Sequence, residues 1–206
     1  MTAEAKSLGV LLFPEFELLD VCGPLEMFGS LPGKLRIQTI AATIDSVAST
    51  QGPALIAETD FARCAKLDWL LVPGGWGTRR EAENPPLLEF LERQATACEL
   101  VMSVCTGSLV LAAAGLLNGR RATTNKRVFR WVAEVQPAVH WIPQARWVEH
   151  GKFVTSSGVA AGIDMALAVI ARYFGAETAE QIATATEYEW HRDPHWDPFA
   201  RMHGLV

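Results

Sequence analysis

Of the four cysteines in the chain, Cys22, Cys64, Cys98 and Cys105, one stands in a sequence setting that would make it reactive. Cys105 ends the apolar run Leu100-Val101-Met102-Ser103-Val104 and is followed at once by Thr106-Gly107 and a Leu- and Ala-rich stretch from Ser108 to Leu117. Read as strand, tight turn and helix, this is the arrangement of a nucleophile elbow, in which a sharp reversal exposes the thiol and small neighbours tolerate the strain. The free N–H groups at the start of that helix carry partial positive charge, so they are expected to favour the thiolate and lower the thiol pKa. The competing reading is a buried structural cysteine, because Cys packs like a small hydrophobe; the immediate Cys-Thr-Gly turn argues against it. Cys22 in an apolar helix, Cys98 before a strand and Cys64 after Arg63 in a loop are read as packing residues. No C-x-x-C pair suggests zinc or disulfide exchange, and the wide spacing is not that of a secreted disulfide framework.

A thiol nucleophile needs a group to move its proton and donors to meet developing charge. Asp20, in Leu18-Leu19-Asp20-Val21-Cys22-Gly23-Pro24, is an acid among apolar residues just past the first predicted strand. Its carboxyl is expected at the C-terminal edge of the sheet, where it could shuttle a proton. The other reading is a cap or turn ahead of Gly23-Pro24. Glu17 and Glu26 are read as solvated face residues. Pro73-Gly74-Gly75 would let backbone amides approach a ligand closely, so Gly74, Gly75 and the amide of Thr106 are candidate oxyanion donors; the same loop also reads as a plain turn. Histidine, the usual base for a cysteine hydrolase, is not compellingly placed. Thr106 follows Cys105, His140 and His150 fall in predicted loop or hairpin positions, and His191, His195 and His203 lie in the tail. The stretch from Glu189 to Asp197 holds ligand types without a known metal spacing, and its prolines break any helical face, so no metal site is expected. Trp190, Trp196 and Phe199 are expected to anchor a packing tail or lid.

These residues have to be delivered by a scaffold, and the chain alternates short apolar runs with helical patterns throughout. Strands are predicted at Gly9 to Phe13, Leu35 to Ala42, Asp68 to Val72, Leu100 to Val104 and, briefly, Arg121 to Thr124. Val47 to Thr50 and Ala54 to Glu58 read as an edge hairpin around Gln51-Gly52-Pro53, and Arg146 to Glu149 with Phe153 to Ser156 as another around His150-Gly151. Helical spacing covers Leu18 to Leu31, interrupted at Gly23-Pro24, then Pro85 to Ala97, Ser108 to Leu117, Val128 to Glu134, Ala160 to Phe174 and Ala179 to Tyr188. Such alternation implies an α/β fold, a three-layer sandwich with a flavodoxin-like parallel sheet and helices on both faces. Ligands of open parallel sheets bind beyond the C-terminal strand ends, which is where Pro14, Gly74 and Cys105 arrive.

The 206 residues, half of them hydrophobic and a fifth charged, fit one domain, with a core from about residue 8 to 188 and a tail from 189 to 206. A net charge of −5 and no run of Lys or Arg longer than two give no footprint for phosphate backbones, so no nucleic-acid partner is expected. The start from Met1 to Ser7 is polar, and Leu8 to Phe13 is too short for a signal core or a membrane span, which points to a cytoplasmic protein without a membrane partner.

Taken in order, Pro73-Gly74-Gly75, then Ser103 to Ser108 with its Leu- and Ala-rich helix, then Gly115-Leu116-Leu117-Asn118-Gly119-Arg120-Arg121-Ala122-Thr123-Thr124, then Thr155 to Asp164, resemble the ThiJ/PfpI superfamily. The likeness runs from about Gly9 to Tyr188. It implies the class I glutamine amidotransferase-like version of the fold, and it places Gly158, in the last motif, at the substrate. Leu19 to Pro24 and the Cys-Thr elbow look most like isocyanide hydratases, which use aspartate where many relatives place glutamate. The same segments occur in the sensing halves of AraC-type regulators, which add a C-terminal helix-turn-helix region that this chain is expected to lack. Thr106 departs from the peptidase branch, where histidine follows the cysteine, and the His-Glu pair of glutamine amidotransferases cannot be placed. Close relatives often read Ala-Thr-Thr-His-Trp where Thr124 is here followed by Asn125-Lys126; if that histidine touches substrate, the substrate differs. The tail from Glu187 also departs from isocyanide hydratases.

The resemblance implies that the Cys105 thiolate attacks the terminal carbon of an isocyanide while Asp20 supplies a proton. Water then adds to the thioimidate and an N-formamide leaves, with Gly75 and Thr106 amides meeting the charge and no cofactor required. The alternatives are a glyoxalase- or deglycase-like reaction on small dicarbonyls, and a redox or ligand sensor whose thiol is oxidised. The small-molecule site is expected to be built in a homodimer, and the surplus of tryptophans fits an apolar interface.

Overall fold

A strand covered by helices on both sides must be apolar on both faces, and the runs predicted as strands meet that condition. The computed structural model describes residues 5–206; the polar character read for residues 1–4 lies outside the described residues. In chain order the elements are β1 (Lys6–Leu11), α1 (Leu18–Gly29), β2 (Leu35–Ala41), β3 (Ser46–Ala48), β4 (Ala54–Ile56), β5 (Thr59–Asp60), β6 (Trp69–Val72), α2 (Thr78–Glu81), α3 (Pro85–Ala97) and β7 (Leu100–Ser103). They continue as α4 (Gly107–Ala113), β8 (Arg121–Ala122), α5 (Phe129–Val135), β9 (His140–Trp141), β10 (Trp147–His150), β11 (Phe153–Ser156), α6 (Ala161–Phe174), α7 (Ala176–Ala185) and α8 (Pro198–Met202).

One seven-stranded sheet runs in the order β10-β11-β7-β6-β1-β2-β5, parallel at every pairing except the edge pair of β10 with β11. Its central order, β2-β1-β6-β7-β11, is the flavodoxin-like winding, and the strand order reverses between β1 and β6. The helices pack as two layers, α1 on α6 and α6 on α7, with α2 and α3 both on α4. Every residue of β6 and β7 is buried. Trp69 in β6, wholly buried, sits 5.9 Å from the Phe28 ring, 4.8 Å from Tyr173 and 5.9 Å from Phe174, which ties α1 and α6 to the sheet.

Several expectations are corrected. Helix α1 runs unbroken through Gly23 and Pro24, both buried: a Cβ on Gly23 would lie 2.8 Å from Ile163, so close packing on α6 offsets the hydrogen bond that Pro24 removes. The β3–β4 hairpin stands apart from the main sheet, whose edge is β5. His140 lies in a strand, paired through β9 with β8. Cys22 is exposed rather than packed, whereas Cys98 is buried. In the tail Trp190 packs on the core, whereas Trp196 and Phe199 are 41% and 43% exposed; Trp196 stacks on His191 at 4.0 Å between ring centroids, within the tail itself, with the Arg146 guanidinium 5.5 Å from its ring. Polar pairing also holds that segment, with buried Asp197 3.3 Å from Lys126 and the N–H of His191 bonded to Asp164. No helix among the described residues is long and apolar enough to cross a membrane.

Candidate active site

The end of β7 turns into α4 through Cys105, whose φ of +57° lies in the left-handed region that costs a residue with a Cβ. The strained peptide is tied on both sides. Its N–H donates to the carbonyl of Ser157 at 3.0 Å, and its carbonyl accepts from the hydroxyls of Ser108 and Thr124, each at 3.1 Å. Gly107 permits the turn, since a Cβ there would stand 2.2 Å from the carbonyl oxygen of Val72.

The strand ends of β1 and β6 bring the remaining groups. Asp20 is fully buried at the start of α1, and its Oδ2 accepts the N–H of Gly74 at 2.8 Å while Oδ1 has no partner. The Asp20 carboxyl lies beside the Cys105 side chain across Gly74. Gly74 stands at the focus: a Cβ there would lie 2.6 Å from the Thr106 nitrogen and 2.8 Å from both Asp20 Oδ2 and Cys105 Cβ. The N–H of Gly75 donates to Thr106 Oγ1 at 3.1 Å, so in this arrangement neither Gly74 nor Gly75 has a free N–H to offer a substrate. The structure thus brings Cys105, Asp20, Gly74, Gly75 and Thr106 together, with Gly158 beyond them on the loop after β11.

The donors that face the sulfur come largely from elsewhere. Asn125 Nδ2 lies 3.1 Å from Cys105 Sγ, and the backbone N–H groups of Thr106 and Val159 also point at it. Val159 has φ of +45°, unusual for a β-branched residue, and that backbone turns its N–H toward Cys105. Gly158 leaves the space Asn125 needs, because a Cβ would approach its Nδ2 to 2.6 Å. Sequence reasoning missed Asn125 and Val159 as neighbours of the thiol. The available signals were the departure at Asn125 and the glycine beside Val159.

The expected lowering of the thiol pKa is reversed. Burial pushes the Cys105 thiol up, the Asp20 carboxyl beside it pushes the same way, and the hydrogen bonds from Asn125, Thr106 and Val159 offset this only in part. A seven-residue helix behind the sulfur does not outweigh removal from water. Asp20 is likewise raised well above the usual carboxylate range by burial and by Glu17, against the bond from Gly74. Burial thus pushes both neighbouring acids, Asp20 and Cys105, toward their neutral forms.

Cys105 is 6% exposed and opens onto a cavity of about 190 Å³ bounded by Glu17, Trp76, Arg79, Arg127 and Val159. A second cavity of about 450 Å³ shares Asn125, Arg127 and Val159 with it and extends to His191, Trp196 and His203. No histidine lines the cavity at the thiol. Among the described residues no group of three or more His, Cys, Asp or Glu could hold a metal ion.

A strained cysteine on the turn after the fourth strand of this winding, with an acid from the helix that follows the first, is matched across much of the sheet by one sequence family. The chain belongs to the DJ-1/PfpI family, whose model matches residues 6–172. Within that class it is similar to isonitrile hydratase of Pseudomonas putida, with 39% identity over 186 residues, covering 89% of this chain and 79% of that protein. It is 30% identical over 189 residues to the HTH-type transcriptional regulator GbdR of Pseudomonas aeruginosa, of which it spans 51%. Among solved structures, a ThiJ/PfpI family protein from Pseudomonas syringae superposes with a TM-score of 0.83 at 33% identity, covering 91% of this chain and 76% of that one.

Proposed function

We propose that this chain is an isocyanide hydratase, converting R–NC and water to the N-formamide R–NH–CHO through a covalent bond to Cys105. The observation that carries this reading is the juxtaposition of two buried acids, Asp20 and Cys105, around Gly74 beneath a small cavity, with burial favouring the protonated form of each. An isocyanide carbon accepts a nucleophile and a proton at the same atom, and this pair offers both side by side. The likeness to isonitrile hydratase supports the same substrate class.

As sulfur bonds to the terminal carbon, the S–H bond breaks and Asp20 takes that proton while delivering one to the carbon. The product is the thioimidate S–CH=N–R, with Asp20 protonated as before. Water then adds to this carbon; Asp20 takes a proton from the water and passes one to the imine nitrogen. The C–S bond breaks, the new hydroxyl loses its proton through Asp20 to the sulfur, and the formamide leaves. Sulfur carries negative charge in this last step from the breaking of the C–S bond until that proton reaches it. The N–H groups of Asn125, Thr106 and Val159 converge on sulfur rather than on a substrate oxygen, which fits the need to stabilise a leaving thiolate.

The test is formamide production from an aromatic and an alkyl isocyanide by the wild type, Cys105→Ala and Asp20→Asn. The expected result is turnover by the wild type and a loss of roughly a thousandfold or more in both variants. A Cys105→Ala protein with full activity overturns the covalent route. A wild type that makes no formamide overturns the assignment and directs attention to small dicarbonyls or to oxidation of the thiol.

A further inference from the structure

Two guanidinium groups, Arg79 and Arg127, border the small cavity onto which Cys105 opens. Among the described residues neither side chain donates a hydrogen bond to a protein atom or pairs with a carboxylate, whereas the two other cations lining the adjoining cavity are both neutralised. Lys126 pairs with Asp197 at 3.3 Å, and Arg146 pairs with Asp164 at 2.6 Å. The acid bordering the small cavity is Glu17, already an acceptor for Gln51 Nε2 at 2.7 Å. The rim therefore carries a net positive charge of one in a chain whose total is −5.

Arg79 is also held in place. Its guanidinium carbon lies 4.4 Å from the Trp76 ring centroid and 4.9 Å from that of Trp131. Stacking on aromatic faces fixes the plane of a guanidinium without using its N–H edge, which is the edge that grips a carboxylate through two parallel bonds. Arg127 stands where the two cavities meet, next to Asn125, whose Oδ1 accepts its backbone N–H at 2.9 Å. A cavity of about 190 Å³ is smaller than a drug-sized ligand needs, so whatever fills it beyond the reacting carbon is short.

We infer that the substrate carries a carboxylate on a short substituent, and that Arg79 and Arg127 bind this group while the reacting carbon meets Cys105. The inference rests on the hydratase reading for the identity of the reacting carbon, but the recognition of an anion beside the thiol does not depend on it. Opposite charge at the cavity rim raises both affinity and the local concentration of an anionic reactant.

Two paired measurements separate the two claims. The first is the rate of Cys105 alkylation by iodoacetate and by iodoacetamide, read by intact mass and referred to the same pair of reagents on glutathione. The expected ratio of acid to amide is about tenfold or more above the glutathione ratio. Arg127→Gln, on an exposed side chain that the fold does not need, and Arg79→Gln should each bring it most of the way back. The second is kcat/KM for isocyanoacetate against its methyl ester, with the acid preferred by about tenfold or more and the preference narrowed in both variants. An anionic preference in alkylation with no turnover of either isocyanide keeps the anion site and overturns the hydratase reading. Turnover of both isocyanides with no preference for the acid, together with a glutathione-like alkylation ratio, overturns the anion site and leaves the hydratase reading intact.

Discussion

Asn125 presents Nδ2 to Cys105 Sγ at 3.1 Å while its Oδ1 accepts the N–H of Arg127 at 2.9 Å. The second bond decides which end faces the sulfur, because a flipped amide would set an oxygen against the thiol and an NH2 group against an N–H. The amide is thus a fixed donor beside an atom that must carry negative charge whenever a C–S bond breaks.

Asn125→Ala should lower kcat by about a hundredfold, the usual cost of losing one preorganised donor. It should also shift the pH dependence of Cys105 alkylation by iodoacetamide upward, because a hydrogen bond that favours the thiolate is gone. Asn125→Asp should be worse on both counts, since it sets an acid against a thiol that Asp20 already holds up. Alkylation in Asn125→Ala that follows the wild type at every pH would remove Asn125 from the chemistry.

Gly74 and Gly29 give opposite outcomes for the same substitution. Gly74→Ala drives a methyl group against the Thr106 nitrogen, Asp20 and Cys105, all within 2.8 Å and none able to swing away. Overpacking of this kind costs about 1–3 kcal/mol, and here it also displaces the reacting groups, so activity should fall further than stability. Gly29, the last residue of α1, has nothing within 4 Å of such a Cβ. Gly29→Ala should leave activity alone and stabilise by up to about 1 kcal/mol, as judged by urea denaturation.

Asp20 exchanges stability for chemistry. Its carboxyl is raised in the folded protein, so between its unfolded and folded pKa values the folded state binds the extra proton and stability falls as pH rises. Asparagine keeps a carbonyl to accept the Gly74 N–H without any charge to desolvate. Asp20→Asn should therefore unfold at a higher temperature than the wild type at pH 8, while losing activity. The gap should close only below about pH 3, where the carboxyl is protonated in the unfolded chain as well. Thermal scans at several pH values read this directly, and a variant less stable than the wild type at pH 8 contradicts it.

The reacting pair was legible because it is local. Cys105 and Asp20 each follow an apolar strand, Gly74 marks a third strand end, and the winding alone sends those ends to one crevice. Asn125 and Val159 were not legible as donors because they reach the thiol from loops 20 and 54 residues further along, and only packing shows which atoms meet. The sign of the thiol shift failed for a related reason: a sequence can put a cysteine at a helix start but does not report the depth of its burial. Pro24 misled in the same way, since its cost is visible locally and the compensating fit of Gly23 on Ile163 is not. Trp196 and Phe199 looked like core anchors by residue type, yet ion pairs tie the tail down and leave both rings partly exposed, with Trp196 stacked on His191 of the tail itself.

Arg146 and Asp164 supply the most consequential of those pairs. Arg146 donates from Nε at 2.7 Å and from Nη2 at 2.6 Å to Asp164 Oδ2, with both side chains almost wholly buried. The other carboxylate oxygen accepts the Tyr188 hydroxyl at 3.1 Å and the His191 N–H at 3.0 Å, and the Arg146 backbone N–H donates to the Pro194 carbonyl at 2.6 Å. One buried carboxylate therefore joins the first turn of α6 to β10 and to the tail. Arg146→Met would leave that charge without its partner, at a cost of roughly 3–5 kcal/mol, whereas replacing both residues by apolar ones of similar size should recover most of the loss. Tyr188→Phe removes one bond from a carboxylate that keeps its others, so about 1–2 kcal/mol is expected. In Arg146→Met the tail should become the first site of proteolytic cleavage, because its tether to Asp164 is the contact that has been weakened. A loss below about 1 kcal/mol in Arg146→Met, with the tail still protected, would mean that Trp190 and the Lys126–Asp197 pair hold the segment without it.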